Sequence, residues 1–323
     1  MGNSTENKAV GVNIVEIDAD QAGQRIDNYL LTKLKGAPKS LIYRILRKGE
    51  VRVNKGRIKP TYRLQAGDNV RIPPVRLDES QTTKPGEKAL QRVEKSIIYE
   101  DKRLLVLNKP SGMAVHGGSG LNYGIIEALR ALRPDAPYLE LVHRLDRDTS
   151  GCLLIAKKRS ALRVLHELLR ENQVDKQYLT LIKGDWGGGD RVIDAPLRKN
   201  TLRSGERMVM VSEDGKPARS LFRPLCSTEQ ASLMQVKLYT GRTHQIRVHA
   251  VQSGHPIAGD TKYGEQDFNA AMQKLGLKRL FLHAVSLHFV LPDTGEKISL
   301  TSPLPDELEA VLKKLNMRYR LAP

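Results

Sequence analysis

His143-Arg144-Leu145-Asp146-Arg147-Asp148-Thr149-Ser150-Gly151 is a polar stretch held between Leu141-Val142 and the apolar run Cys152-Leu153-Leu154-Ile155-Ala156. A short apolar run bounded by turn-forming residues reads as a buried strand. The nine residues are therefore a loop delivered from the interior of a domain. A carboxylate buried beside guanidinium groups stays ionised and can serve as nucleophile or base, which makes Asp146, standing between Arg144 and Arg147, the first candidate for chemistry. The bland alternative is a structural Asp, since loop Asp commonly accepts from backbone N–H groups. Asp148 lies two residues on, and the two carboxylates together raise the idea of a metal-dependent nuclease. Hard cations recruit further carboxylates, however, and the intervening arginines oppose one. Asp148 thus reads as a partner for a neighbouring Arg, and no metal is expected.

Outward from this loop, strands are expected at residues 104–108, 152–156, 178–183 and 233–238, with helices at 122–132 and 161–171. Their order is irregular, not a strict βα alternation. That favours an α+β class, a mixed and largely antiparallel sheet with flanking helices, over a doubly wound sheet. With 323 residues the chain exceeds one ordinary core, so two domains are the natural division.

The charge is uneven. The formal net charge is +17, from 53 Lys+Arg against 36 Asp+Glu, and such an excess selects a polyanionic partner, most often nucleic acid. Between residues 20 and 76 there are 14 Lys+Arg and four acids, so more than half of the excess sits in under a fifth of the chain. Within it Leu41, Ile42, Ile45 and Leu46 share one helical face and leave Arg44, Arg47 and Lys48 on the other. Pro38-Lys39-Ser40 suits the start of that helix and Gly49 its end. Residues 51–54 and 69–72 alternate like short strands, with turns at Asn54-Lys55-Gly56 and Ala66-Gly67-Asp68. An ordinary solvated helix face is the competing reading. Aromatic residues make up only 5%, too few for extended base-stacking platforms.

The expected layout is a disordered N-terminus over 1–14 and a small α/β RNA-binding domain over 15–76. A linker rich in breakers follows over 77–96, then a catalytic domain over 97–323. Cys152 and Cys226 form no paired-thiol motif, which fits a reducing cytoplasm. No stretch approaches the length of a membrane span, and neither a leader nor a myristoylation motif is read at the start.

Two further segments stand out. Asn108-Lys109-Pro110-Ser111-Gly112, followed by His116-Gly117-Gly118-Ser119-Gly120, matches neither the P-loop nor the dinucleotide fingerprint and reads as a turn. Gly241-Arg242-Thr243-His244-Gln245-Ile246-Arg247-Val248-His249 lacks the spacing of a zinc-protease helix. Each His there defaults to a satisfied polar residue. Together with the Asp146 loop, these segments resemble the RluA-type pseudouridine synthases over nearly the whole chain. Residues 23–73 look like the small RNA-binding domain first described in a small-subunit ribosomal protein.

The resemblance implies isomerisation of specific uridines to pseudouridine in large-subunit (23S) ribosomal RNA or a pre-ribosomal particle. A monomer is expected separately, because the sequence shows no obvious hydrophobic seam. Asp146 takes the catalytic role. Tyr178, in Lys176-Gln177-Tyr178-Leu179, is the active-site tyrosine, which would otherwise read as a core aromatic. Arg247 would pair with Asp146 and hold its charge in a water-poor pocket. RNA contacts are expected from Lys39, Arg44, Arg47, Lys48, Lys55, Arg57, Lys59, Arg144, Arg242 and His244. The reaction breaks N1–C1′ and joins C5 to the same carbon with no redox change, so no cofactor is expected. One carboxylate suffices, because no water enters as in glycoside hydrolysis. The rival from another class is a non-catalytic RNA-binding or ribosome-assembly factor.

Overall fold

The structure, a computed structural model, describes residues 11–19, 21–34, 37, 39–75, 85–117, 123–201 and 207–321. They fall into two compact units, Met1–Lys84 and Pro85–Pro323.

The first unit contains β1 (Asn13–Glu16), α1 (Ile26–Lys33), α2 (Lys39–Lys48), β2 (Arg52–Val53) and β3 (Asn69–Ile72). The strands form an antiparallel sheet in the order β1-β3-β2. The disordered start expected over 1–14 is too long, because Asn13 and Ile14 already pair with Ile72 and Arg71; residues 1–10 lie outside the described ones. Helix α2 has the expected two faces, with Ile42, Ile45 and Leu46 buried and Arg44, Arg47 and Lys48 exposed. Burying each large aliphatic side chain is worth about 1.5–3 kcal/mol, so the apolar face fixes which charges point outward. Asn54 and Lys55 both take positive φ in the turn after β2.

The second unit begins earlier than residue 97. Within the expected linker 77–96, residues 77–84 are undescribed, but Glu87–Glu94 is a helix, α3, packed on α4. Its Val93 is fully buried, and this apolar anchor overrides the polar composition around it. There follow β4 (Ile97–Glu100), β5 (Leu104–Lys109), α4 (Ile125–Leu132), β6 (Glu140–Leu141), β7 (Ser150–Ala156), α5 (Arg159–Arg170) and β8 (Asp175–Lys183). Then come β9 (Arg191–Asp194), β10 (Leu197–Thr201), β11 (Arg207–Val211), β12 (Arg219–Ser227) and β13 (Ala231–Leu238). The unit closes with α6 (Gln245–Gln252), α7 (Gln266–Lys274), β14 (Leu282–Val290), β15 (Lys297–Thr301) and α8 (Asp306–Lys314).

Ten of the described strands form one mixed sheet whose main path runs β4-β5-β7-β14-β8-β13-β12-β9. The β7/β14 pair is parallel and the other neighbours antiparallel, as expected for the α+β class. Strands β10 and β11 make a separate two-stranded ribbon. Because side chains alternate across a strand, β8 sends Tyr178 and Ile182 into one apolar cluster with α4 and α5. Leu179 and Leu181 enter the other cluster with α7 and α8. At the parallel pair Gly151 has φ +108°, and a Cβ there would lie 2.2 Å from the carbonyl oxygen of Ala284. Only glycine lets β7 approach β14 so closely immediately after the Asp146 loop.

Candidate active site

The Asp146 loop joins β6 to β7 and is clamped from behind by the turn after β5. Lys109, fully buried, donates from Nζ to the carbonyl oxygens of Arg147 (2.9 Å), Met113 (2.8 Å) and Pro110 (3.0 Å). Gly112 N–H also donates to Arg147 O at 2.9 Å, and Ser111 Oγ donates to Asp148 O at 2.7 Å. Burial pulls the Lys109 ammonium down to about 7, opposed by the nearby Asp148 and Asp146 carboxylates. By sequence alone this segment is a simple turn; in the structure it is the fixture that holds the loop's backbone. A lone Lys closing a strand that begins Leu104-Leu105-Val106-Leu107 marks the position but not its partners.

The other end of the loop is fixed by a chain of hydrogen bonds. Arg279 Nη2 donates to Ser150 Oγ at 2.9 Å, leaving the Ser150 proton for His283 Nδ1 at 2.9 Å. The His283 Nε2–H then faces Ser302 O at 3.1 Å. Burial drives the His283 pKa down to about 4. Burial, with Lys176 close by, does the same to His143, whose Nε2 accepts from Leu154 N–H at 3.2 Å.

In front of the loop lies a cleft of about 1130 Å³. Its lining includes Arg144, Arg147, Arg170, Lys176, Lys199 and Arg242, with Asp146 the one acidic residue among its described lining. A smaller recess of about 70 Å³ opens beside it, bounded by Asp146, Tyr178, Ile246, Arg247 and Leu282. Tyr178 is 7% exposed, and burial, with Asp146 near, pushes its phenol well above the ordinary value. It therefore rests as a neutral ring that offers a flat apolar face and a hydroxyl.

Arg247 reaches Asp146 from α6, but differently from the expected ion pair. Its guanidinium is bound bidentately to Asp260, Nε to Oδ2 and Nη2 to Oδ1, both at 2.7 Å. Nη1 is left 3.9 Å from Asp146 Oδ2. Asp260 is 1% exposed and also accepts from Lys262 and Tyr263 N–H at 2.9 and 3.0 Å. Burial alone would raise its pKa, yet Arg247 and the two amides hold it below the usual carboxylate range. Planar fork-on-fork pairing of this kind is the strongest way to orient a guanidinium. Arg247 thus faces Asp146 but belongs first to Asp260, a residue unmarked by charge pattern because it lies in a turn after Gly259.

The expected RNA contacts divide between the units. Arg144, Arg242 and His244 line the cleft with Asp146 and Tyr178. Asp148 pairs with Arg147 (3.2 Å) at the surface. In the first unit Arg44, Arg47, Lys48, Lys55, Arg57 and Lys59 are exposed, while the side chain of Lys39 and the loop residues Gly118-Ser119-Gly120 lie outside the described ones. Among the described residues no group of three or more His, Cys, Asp or Glu is placed to hold a metal ion. No described helix is long and apolar enough to cross a membrane.

Residues 103–252 match the RNA pseudouridylate synthase family and residues 24–70 the S4 domain. The chain is 60% identical over 306 residues to ribosomal large subunit pseudouridine synthase C of Pasteurella multocida (strain Pm70), covering 94% of both chains. It is 57% identical over 308 residues to the protein of that name from Escherichia coli (strain K12), covering 94% of this chain and 97% of the other. In three dimensions it resembles human RNA pseudouridylate synthase domain containing 4, with TM-score 0.58, 27% identity and coverage of 70% of this chain and 95% of that one. An isomerase acting on RNA accounts for the cationic cleft, and the chain belongs to the RNA pseudouridylate synthase family, with an S4 domain ahead of the synthase fold.

Proposed function

We propose that this enzyme converts specific uridines of large-subunit ribosomal RNA into pseudouridine, with Asp146 as the group that acts on the ribose. The observation that carries the reading is that, among the described residues lining the cleft, Asp146 is the one carboxylate and the other formally charged side chains are Lys and Arg. Cations alone would make a binding groove; an acidic side chain among phosphate-attracting residues needs a task. The ribosomal substrate is supported by the names of the relatives and by the S4 domain.

In this reading the RNA backbone is drawn to the cleft by Arg144 and Arg242, among others, and the target base leaves its stack. Flipping costs a few kcal/mol, part of which stacking on Tyr178 returns. Asp146, by attacking the sugar or by abstracting its proton, promotes cleavage of N1–C1′. The uracil turns within the recess, C5 bonds to C1′, and the C5 proton is lost while N1 gains one. Atoms and electrons balance without an external reagent. Arg247, immobilised by Asp260, presents Nη1 to the carboxylate at no reorganisation cost during the reaction. Residues 15–76 act as the RNA-binding module and the chain from α3 onward as the catalytic one. The protein works as a cytoplasmic monomer on ribosomal RNA or a pre-ribosomal particle.

The test is Asp146→Asn, nearly isosteric. Isomerisation of a ribosomal RNA fragment is expected to fall by at least about 10³-fold, with RNA affinity retained. Turnover at the wild-type level would overturn the assignment and leave the non-catalytic RNA-binding reading in its place.

A further inference from the structure

Beyond Arg247, a second group faces the same oxygen of Asp146. His244 Nε2 lies 3.9 Å from Asp146 Oδ2, and its ring is held by a contact whose proton can be assigned. His244 Nδ1 is 2.8 Å from the hydroxyl of Tyr263. That hydroxyl oxygen already accepts from Val209 N–H of β11 at 2.9 Å. A phenol has one proton to donate. If His244 donated from Nδ1, the oxygen would accept twice and its own proton would lack an acceptor among the described residues. The consistent arrangement has Tyr263 donating to His244 Nδ1. A neutral imidazole that accepts at Nδ1 carries its hydrogen on Nε2, the nitrogen facing Asp146.

The backbone supports a fixed ring. His244 is the residue before α6 and sits at φ 54°, ψ 20°, the left-handed region. A non-glycine residue is uncommon there and persists where the surroundings impose it. Tyr263 is held in turn, with its ring edge-on to His244 at 5.4 Å and the Arg247 guanidinium 4.9 Å from its centroid. The charged groups around His244 are Asp146, Arg247, Lys262 and Asp260. Burial outweighs the carboxylates among them and keeps the imidazole below its ordinary pKa, hence neutral near pH 7.

We propose that His244 is a positioning residue: as the Nε2–H tautomer, locked by the Tyr263 hydroxyl, it donates to the Asp146 oxygen that Arg247 also faces and leaves the other carboxylate oxygen free for the nucleotide. At 3.9 Å the contact is open. A movement of about 1 Å on substrate binding makes it a hydrogen bond, the tightening common between resting and substrate-bound sites. The β10–β11 ribbon takes part through Val209, because its amide occupies the phenol oxygen and thereby dictates the tautomer. This reassigns His244 from RNA contact to carboxylate alignment, and it rests on Asp146 being the reacting group.

The experiment has two readouts on the full-length enzyme. In ¹⁵N-histidine NMR the wild-type His244 is expected as the neutral Nε2–H tautomer at pH 7, shifting to a tautomer mixture in Tyr263→Phe. In single-turnover assays at saturating RNA, His244→Ala is expected to lose up to about 100-fold in rate with RNA affinity unchanged. His244→Gln, whose amide nitrogen can stand near Nε2, is expected to recover most of the rate. A wild-type Nδ1–H tautomer or imidazolium would overturn the proposal. So would a His244→Ala enzyme that binds RNA weakly but turns over at full rate when saturated. Asp146→Asn in parallel separates the two claims: an active Asp146→Asn enzyme sinks the underlying reading, whereas an inactive one beside a fully active His244→Ala sinks only this inference.

Discussion

Asp260 and Asp146 share one arginine and have opposite surroundings. Asp260 is buried and receives two bonds from Arg247 and two from backbone amides. Asp146, with its side chain 27% exposed, has His244 and Arg247 at 3.9 Å and no hydrogen bond to its carboxylate among the described residues. A saturated carboxylate has no lone pair left for a substrate, while an unsaturated one in a cationic cleft is available to it. The contrast tells a scaffold carboxylate from a reactive one better than residue type or charge does.

The contrast breaks most visibly at Asp260. Asp260→Ala leaves a buried guanidinium unpaired and should cost about 3–5 kcal/mol of stability, read from urea or guanidinium unfolding, with turnover falling because Arg247 loses its orientation. Asp146→Asn should change stability by no more than about 0.5 kcal/mol while abolishing turnover. Equal stability losses in the two variants would erase the distinction.

A smaller effect concerns the frame behind the loop. His283 folds neutral with a pKa near 4 against an ordinary value of 6.5. Between these values the unfolded chain binds the extra proton, so stability is retained above about pH 6.5 and declines as pH falls toward 4. From pH 7 to pH 5 this one residue should remove about 2 kcal/mol, and His143 acts in the same direction. Thermal melts of wild type and His283→Asn across that range should show a shallower decline in the variant. Parallel slopes would mean that the buried imidazole does not govern acid sensitivity.

The smallest effect sharpens the comparison by leaving the site untouched. Arg47→Ala, on the exposed face of α2, should weaken RNA binding and lower the slope of log affinity against log salt by about 1. The turnover of bound RNA should remain at the wild-type rate. A slope unchanged by the substitution would place that face outside the phosphate contacts.

Much of this protein is readable along the chain where the physics is local. The two faces of α2 follow from a 3.6-residue period, and β7 follows from five consecutive apolar residues after a polar loop. The concentration of cations in the first 76 residues needs no coordinates to see. Asp146 is marked by its charged neighbours, and the family resemblance placed Tyr178 and Arg247 beside it before any distance was known. Helix α3 is harder to read because its apolar face, Ala89, Leu90 and Val93, spans only two turns directly after a polar, breaker-rich stretch.

What the tertiary structure alone decided is which groups are satisfied. Lys109 gives no hint along the chain that its ammonium will sit under Arg147 O, 38 residues away. Nor does Asp260 announce that it, rather than Asp146, will take both prongs of Arg247. The tautomer of His244 depends on an amide in β11 and a phenol 19 residues downstream. Local sequence determines period, charge and turn chemistry because these act between near neighbours. Hydrogen-bond saturation is settled only when distant segments exclude water together, and there the chemistry of the site was decided.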